Sequence, residues 1–216
     1  MTKYFRDETG MYVDWGQLKK LPEIDTLIDI GVGPMGTPDL YDQFASSKLL
    51  LIDPLDETQS YIDKNLTSRD VIFYQCGVGE DFDEVTINVE EEIGRSSILE
   101  VAEINYEGEP KDIRKIKIKT LDSITSSENN LGKMGIKIDT EGYELSIIKG
   151  ASETLKSTEF VLAEVRHNHE SFHGVYKLHE FVSEMHSNGF VLTMIITAKP
   201  FIADLCFQPV KSLYMP

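Results

Sequence analysis

The chain has 216 residues, 41% of them hydrophobic and 27% charged, with a formal net charge of −16 and two cysteines. That is enough for one domain with a sizeable core and short for two, and the acidity speaks against nucleic acids and anionic membranes as partners. No apolar run reaches the roughly 20 residues of a membrane span, and MTKYFRDETG lacks the apolar core of a secretory signal.

Cys76 and Cys206 lie far apart in apolar settings, without the spacing of a zinc site or a disulfide framework. They read as small buried residues of a reduced, cytoplasmic protein. Residues 1–20 form an N-terminal arm, with Tyr12 and Trp15 packing on a single domain over 21–216.

Along that domain, short β-branched runs alternate with amphipathic segments, the pattern of an α/β fold whose mostly parallel sheet is covered by helices. Continuous apolar runs predict buried strands over 25–31, 48–53, 71–77, 134–139, 159–165 and 190–196. A last strand over 203–210 follows through AKP, too short for a crossover, so it should pair antiparallel. Helices are expected over 56–66, from 120 onward, over 144–155 with Gly150 weakening the middle, and over 175–185. In the last of these, Val175, Leu178, Val182 and Met185 form one stripe. Period-2 patterning over 84–92 and 113–120 predicts a small β insert (about 84–120), and the long link within it suits a lid or substrate loop.

The segment DIGVGPMGTPDL (29–40) sits where the first strand ends and a helix begins. Gly31 and Gly33 allow a tight turn and close approach to a ligand. Asp53 ends the next strand and suits a ribose. Read literally, Gly31-x-Gly33-x-x-Gly36 is a dinucleotide fingerprint, so an NAD-dependent oxidoreductase or epimerase is one alternative. Against it, Asp29 places an acid where such strands are apolar, and Pro34 and Pro38 remove donors a pyrophosphate would use. Cationic, zwitterionic S-adenosylmethionine suits an acidic neighbourhood better. The oxidoreductase reading also wants Tyr-x-x-x-Lys, yet Tyr41, Tyr61, Tyr106 and Tyr143 are followed four residues on by Ala45, Asn65, Pro110 and Ile147.

A second acidic cluster, KIDTEGYELSIIKGA (137–151), follows the fourth of these strands. Asp139 and Glu141 stand at the strand exit, where open α/β sheets bind ligands. Glu144 reads as a helix-start residue opposing the dipole.

DIGVGPMGTPDLYDQF, LLLIDPLDE, KTLDSI, KIDTEGYELSIIKGA and the late AEV…DLCF together resemble the FkbM family of methyltransferases over about residues 25–210. The resemblance implies a Rossmann-like class I fold with a seven-stranded sheet. It also implies S-adenosylmethionine as methyl donor and O-methylation of a small hydroxylated acceptor, often a sugar. By motif position, Asp29, Gly31, Val32 and Gly33 would line the methionine end, with Asp139 near its amino group. Asp53 and Pro54 would meet the ribose, Gly77 and Val78 the adenine, and Ser96 and Ser97 match a small-residue pair on the substrate side. Gly33 replaces the asparagine of many relatives, and Asp53-Pro54 stands for Glu-Pro.

Methyl transfer to oxygen needs the acceptor held in line and a base for its proton. LAEVRHNHESFH (162–173) supplies Glu164, His167, His169 and His173. His167, closest to the strand exit, is the first candidate base and Glu141 the second. No metal is assigned; a divalent cation shared by Asp139, Glu141, Glu164 and His167 is the disfavoured alternative. A non-catalytic adenosylmethionine-binding module is the remaining alternative.

Overall fold

The continuous apolar runs become strands that are covered on both faces. The computed structural model describes residues 5–6, 12–13, 15–102, 110–167 and 172–213. Its strands are β1 (Phe5–Arg6), β2 (Tyr12–Val13), β3 (Thr26–Ile30), β4 (Lys48–Ile52), β5 (Val71–Tyr74), β6 (Gly77–Val78), β7 (Asp83–Val89), β8 (Asp112–Lys119), β9 (Met134–Ile138), β10 (Thr158–Arg166), β11 (Phe190–Ala198) and β12 (Ile202–Pro209). Its α-helices are α1 (Pro38–Gln43), α2 (Glu57–Asn65), α3 (Leu121–Ser127), α4 (Glu144–Lys149), α5 (Leu178–Ser187) and α6 (Val210–Leu213).

The main sheet has the order β1-β2-β11-β12-β10-β9-β3-β4-β5. Strands β5, β4, β3, β9 and β10 run parallel, and β12 runs antiparallel to both β10 and β11. This is the expected mostly parallel seven-stranded sheet with its antiparallel last strand, extended at one edge by the two-residue β1 and β2. Only Lys199–Phe201 joins β11 to β12, a link that permits a hairpin and no crossover. The predicted insert is present as a second sheet, β6-β8-β7, with β7 and β8 antiparallel. Arg114 of β8 ties it to α2 through both Glu57 oxygens at 2.9 Å.

Each face of the main sheet has its own core. Ile28, Ile30, Leu50, Ile136 and Ile138 pack with Leu121, Ile147, Ile148, Phe181 and Met185 from α3, α4 and α5. Leu27, Leu49 and Leu51 face the other way, against Leu40, Tyr41 and Ile62 of α1 and α2. Two helix layers around one sheet follow from strands with no polar face. All four residues of the expected stripe pack into one core, joined by the fully buried Phe181, and Val175 lies before α5 begins.

Helix α4 ends at Lys149, earlier than its periodicity suggests, because Gly150 packs directly on the Gly79 carbonyl, where a Cβ would overlap. A short 3-10 helix, Thr154–Ser157, completes the connection to β10. At the start of α3 the Thr120 hydroxyl accepts the Ser123 N–H at 3.1 Å. Thr120→Ala should therefore cost about 1 kcal/mol of stability in urea denaturation.

The chain steps outward from β3 to β5, then returns to place β9 on the other side of β3. Such a reversal opens a crevice at the strands' carboxyl ends. The glycine turn after β3 lies there.

Candidate active site

A cavity of about 880 Å³ opens at this reversal, lined by the turns after β3, β4, β5 and β9, by residues 92–96, by β10 itself and by the β11–β12 hairpin. The glycine turn forms its near wall. Gly31 has φ +81°, and a Cβ on it would overlap the Asp139 carbonyl oxygen, so the exits of β3 and β9 touch backbone to backbone. Gly33 N–H donates to Asp53 Oδ2 at 2.8 Å, and Leu55 N–H donates to Oδ1 at 2.8 Å. Asp53 thus ties the glycine turn to the approach of α2 while lining the cavity. Burial pushes its carboxyl pKa up, and the two backbone donors pull against that.

Behind this wall lies a buried charge network. Asp29 is completely buried and accepts the Tyr41 hydroxyl at 2.5 Å and the Thr37 hydroxyl at 3.1 Å. Burial, then the Asp29 charge, raises the Tyr41 pKa, so the phenol stays a donor. The next strand supplies Lys137, in register with Asp29. Its Nζ lies 3.3 Å from Asp29 Oδ1, 3.4 Å from Asp139 Oδ2 and 3.3 Å from the Gly31 carbonyl oxygen. Burial lowers the Lys137 pKa, but Asp29 and Asp139 outweigh it and leave it raised.

The turn after β9 carries Glu141 at φ +54°, a conformation uncommon for residues other than glycine. Glu144 Oε1 holds it from both sides, accepting Thr140 N–H at 3.0 Å, the Thr140 hydroxyl at 3.1 Å and Gly142 N–H at 3.0 Å. The Ser97 hydroxyl donates to the Glu141 carbonyl at 2.8 Å. The Glu141 carboxylate itself lines the cavity and pairs with Arg166, whose guanidinium lies 4.7 Å from the Phe172 ring centroid. Burial lifts the Glu141 pKa to about 7 despite Arg166. Glu164 and Asp204, side by side on β10 and β12, extend this acidic wall.

The model of the methyltransferase FkbM domain matches residues 37–192, more than two thirds of the chain. The chain belongs to the FkbM methyltransferase family. Among solved structures, it is similar to the FkbM methyltransferase of Methylobacillus flagellatus KT, at 19% identity and a TM-score of 0.54. That alignment covers 85% of this chain and 43% of the Methylobacillus chain, so the present chain spans less than half of that protein's length. It is also similar to a Listeria monocytogenes protein assigned to the S-adenosylmethionine-dependent methyltransferases, at 12% identity and a TM-score of 0.51, covering 90% and 97% of the two chains. A protein of the NADB-Rossmann superfamily from Streptococcus agalactiae follows, at 10% identity and a TM-score of 0.50, covering 90% and 66%. At these identities the likeness is one of fold. No curated protein sequence matches.

The cavity brings together Gly31, Val32, Gly33, Asp53, Pro54, Gly77, Val78, Ser96, Asp139 and Glu141 from the residues singled out in the sequence. Asp29 and Ser97 are not part of its lining; both are buried one step behind, Asp29 against Lys137 and Ser97 under Glu141. His167 does not reach it either. Its ring is exposed and bonds the Lys199 carbonyl oxygen at 3.1 Å, because the backbone there is held by Phe201 and the side chain turns outward. His169 and Tyr106 lie outside the described residues. His173 donates its N–H to the Glu100 carbonyl oxygen at 2.8 Å. Of the four side chains considered for a shared cation, Asp139, Glu141 and Glu164 come within 4.8 Å of one another and His167 stays apart. Among the cavity residues that the sequence reading missed are Lys137, Arg166 and Asp204. Lys137 carried one signal, a lone charge inside the apolar run MGIKI.

Proposed function

We propose that this chain transfers a methyl group from S-adenosylmethionine to a hydroxyl of a small polar acceptor such as a sugar. The observation that carries this reading is Glu141: a carboxyl in a cleft, in a constrained backbone conformation, with its pKa near 7. A general base works best with a pKa near the operating pH. Constrained backbone that its surroundings hold in place is also concentrated at functional sites.

The cavity's donor set fits adenosylmethionine. Asp53 and Asp139 directly follow the strands either side of β3, the first suited to ribose hydroxyls and the second to an ammonium group. Val32, Val78 and Ile138 supply apolar wall, with Gly77 and Pro54 beside them. When bound, the donor supplies a sulfonium methyl group for in-line displacement. Glu141 accepts the acceptor hydroxyl's proton, Arg166 holds that carboxylate in place, and Ser96 on the insert side meets the acceptor.

Adenosylhomocysteine tests the donor site. A ligand at about 100 times its Kd stabilises by about 2.7 kcal/mol, so a clear rise in Tm is expected with adenosylhomocysteine and none with NAD. The reverse pattern would support the oxidoreductase reading instead. His167→Ala should keep near-normal turnover, since its ring points away from the cavity. A hundredfold loss would return it to the list of bases.

A further inference from the structure

We propose that Lys137 is a positioning residue for the methyl donor: it fixes the Asp139 carboxylate and the Gly31 carbonyl as a rigid pair of acceptors for the donor's amino-acid end. This rests on the adenosylmethionine reading above.

A lysine ammonium has three protons, and three acceptors surround this one: Asp29, Asp139 and the Gly31 carbonyl, at 3.3, 3.4 and 3.3 Å. All three face the ammonium, and only 12% of the Lys137 side chain is left exposed. Lys137 therefore acts through its partners and does not itself grip the donor.

The three partners differ in what they can meet. Asp29 is completely buried, and its carboxylate is held by Tyr41 and Thr37 at the start of α1. It is an anchor. Asp139 keeps 35% of its side chain exposed and lines the cavity with Gly31. These two present oxygen to a ligand. Lys137 thus connects a fixed point in the α1 layer to the two acceptors on the cavity floor.

Electrostatics makes the same point. Asp29 and Asp139 lie on one face of neighbouring strands, and without a cation between them they would repel. A desolvated lysine is costly unless paired, and here both carboxylates pair it. The arrangement leaves one exposed carboxylate whose position is set from behind, which is preorganisation for an ammonium ligand.

The test uses the charge-conserving double variant Asp29→Asn with Lys137→Met, which avoids stranding a buried charge. Binding of two ligands is measured by calorimetry. Adenosylhomocysteine carries the amino-acid end; methylthioadenosine keeps the adenosine and thioether but lacks it. The expected result is a loss of about tenfold or more in adenosylhomocysteine affinity, the scale of one misplaced charge-assisted hydrogen bond. Methylthioadenosine affinity should stay within about twofold. Equal losses for both ligands would mean that Lys137 only supports the cavity, and no loss for either would mean it does nothing for the donor; each overturns the proposal. A wild-type chain that binds neither ligand removes the donor reading itself, a failure visible before any variant is made.

Discussion

Glu141→Gln should lower turnover by about 10²–10⁴-fold, the range for loss of a general base, while adenosylhomocysteine affinity changes little. The amide matches the carboxyl in shape and leaves the Ser97 and Glu144 contacts to the turn intact, because these act on backbone atoms. What disappears is the capacity to accept a proton. The pH profile carries a second signature. The base works only when ionised, and its pKa is lifted to about 7 by burial, with Arg166 opposing. Activity should therefore be lost as pH falls through about 7 and level off above it. Retained turnover in the amide variant, measured as methyl transfer to any accepted hydroxyl compound, would remove Glu141 as the base. Glu164, whose pKa is raised by burial and then by Asp139, would be the next group to replace.

Gly31→Ala should be strongly damaging. Two costs add at this position. A non-glycine residue at φ +81° is strained by about 1–3 kcal/mol. The new methyl would also overlap the Asp139 carbonyl oxygen, which sits on backbone held to β3 by the Asp139 N–H bond to Ile30 at 3.0 Å and cannot swing aside. A loss of roughly 3 kcal/mol or more is expected from overpacking and strain together, read as a lower urea midpoint. Binding of adenosylhomocysteine should fall with it, because relief of the clash moves Gly31 and Asp139 apart. A variant with unchanged midpoint and unchanged binding would show that the two strand exits separate freely.

The strands were legible because parallel strands covered on both faces leave continuous apolar runs, as TLIDI and KLLLI do. The reversed β12 was legible from loop length alone. Helix limits were less so. Nothing within ELSIIKGASETL announces that Gly150 will meet Gly79, since the partner lies about seventy residues earlier in the chain.

The site divides along the same line. Glycine turn, Asp53 and Asp139 could be placed because each follows its own strand. Asp29 was assigned to the ligand because the pattern gives its position along β3 but not its depth; its place behind the cavity depends on Tyr41 and Lys137. His167 was chosen for its nearness to a strand exit, and one residue made the difference. Arg166 lines the cavity, while the next side chain turns to the Lys199 carbonyl. Lys137 carries no such mark: a single charge in an apolar run does not tell its depth, and β9 lies near the middle of the sheet.

The pairing of β3 with β9 also has a consequence for how the protein is made. Lys137 and Gly31 are 106 residues apart. At about 5–20 residues per second, a ribosome delivers Lys137 roughly 5–20 s after Gly31. Throughout that interval β3 lacks its inner neighbour, and the carboxylate of Asp29 has no cation to meet. The nascent N-terminal half can pair β3 with β4 and β4 with β5, yet it exposes one flank of the most apolar part of the sheet. Chaperone capture during translation should therefore be strongest before β9 emerges and fall away once Lys137 has left the exit tunnel.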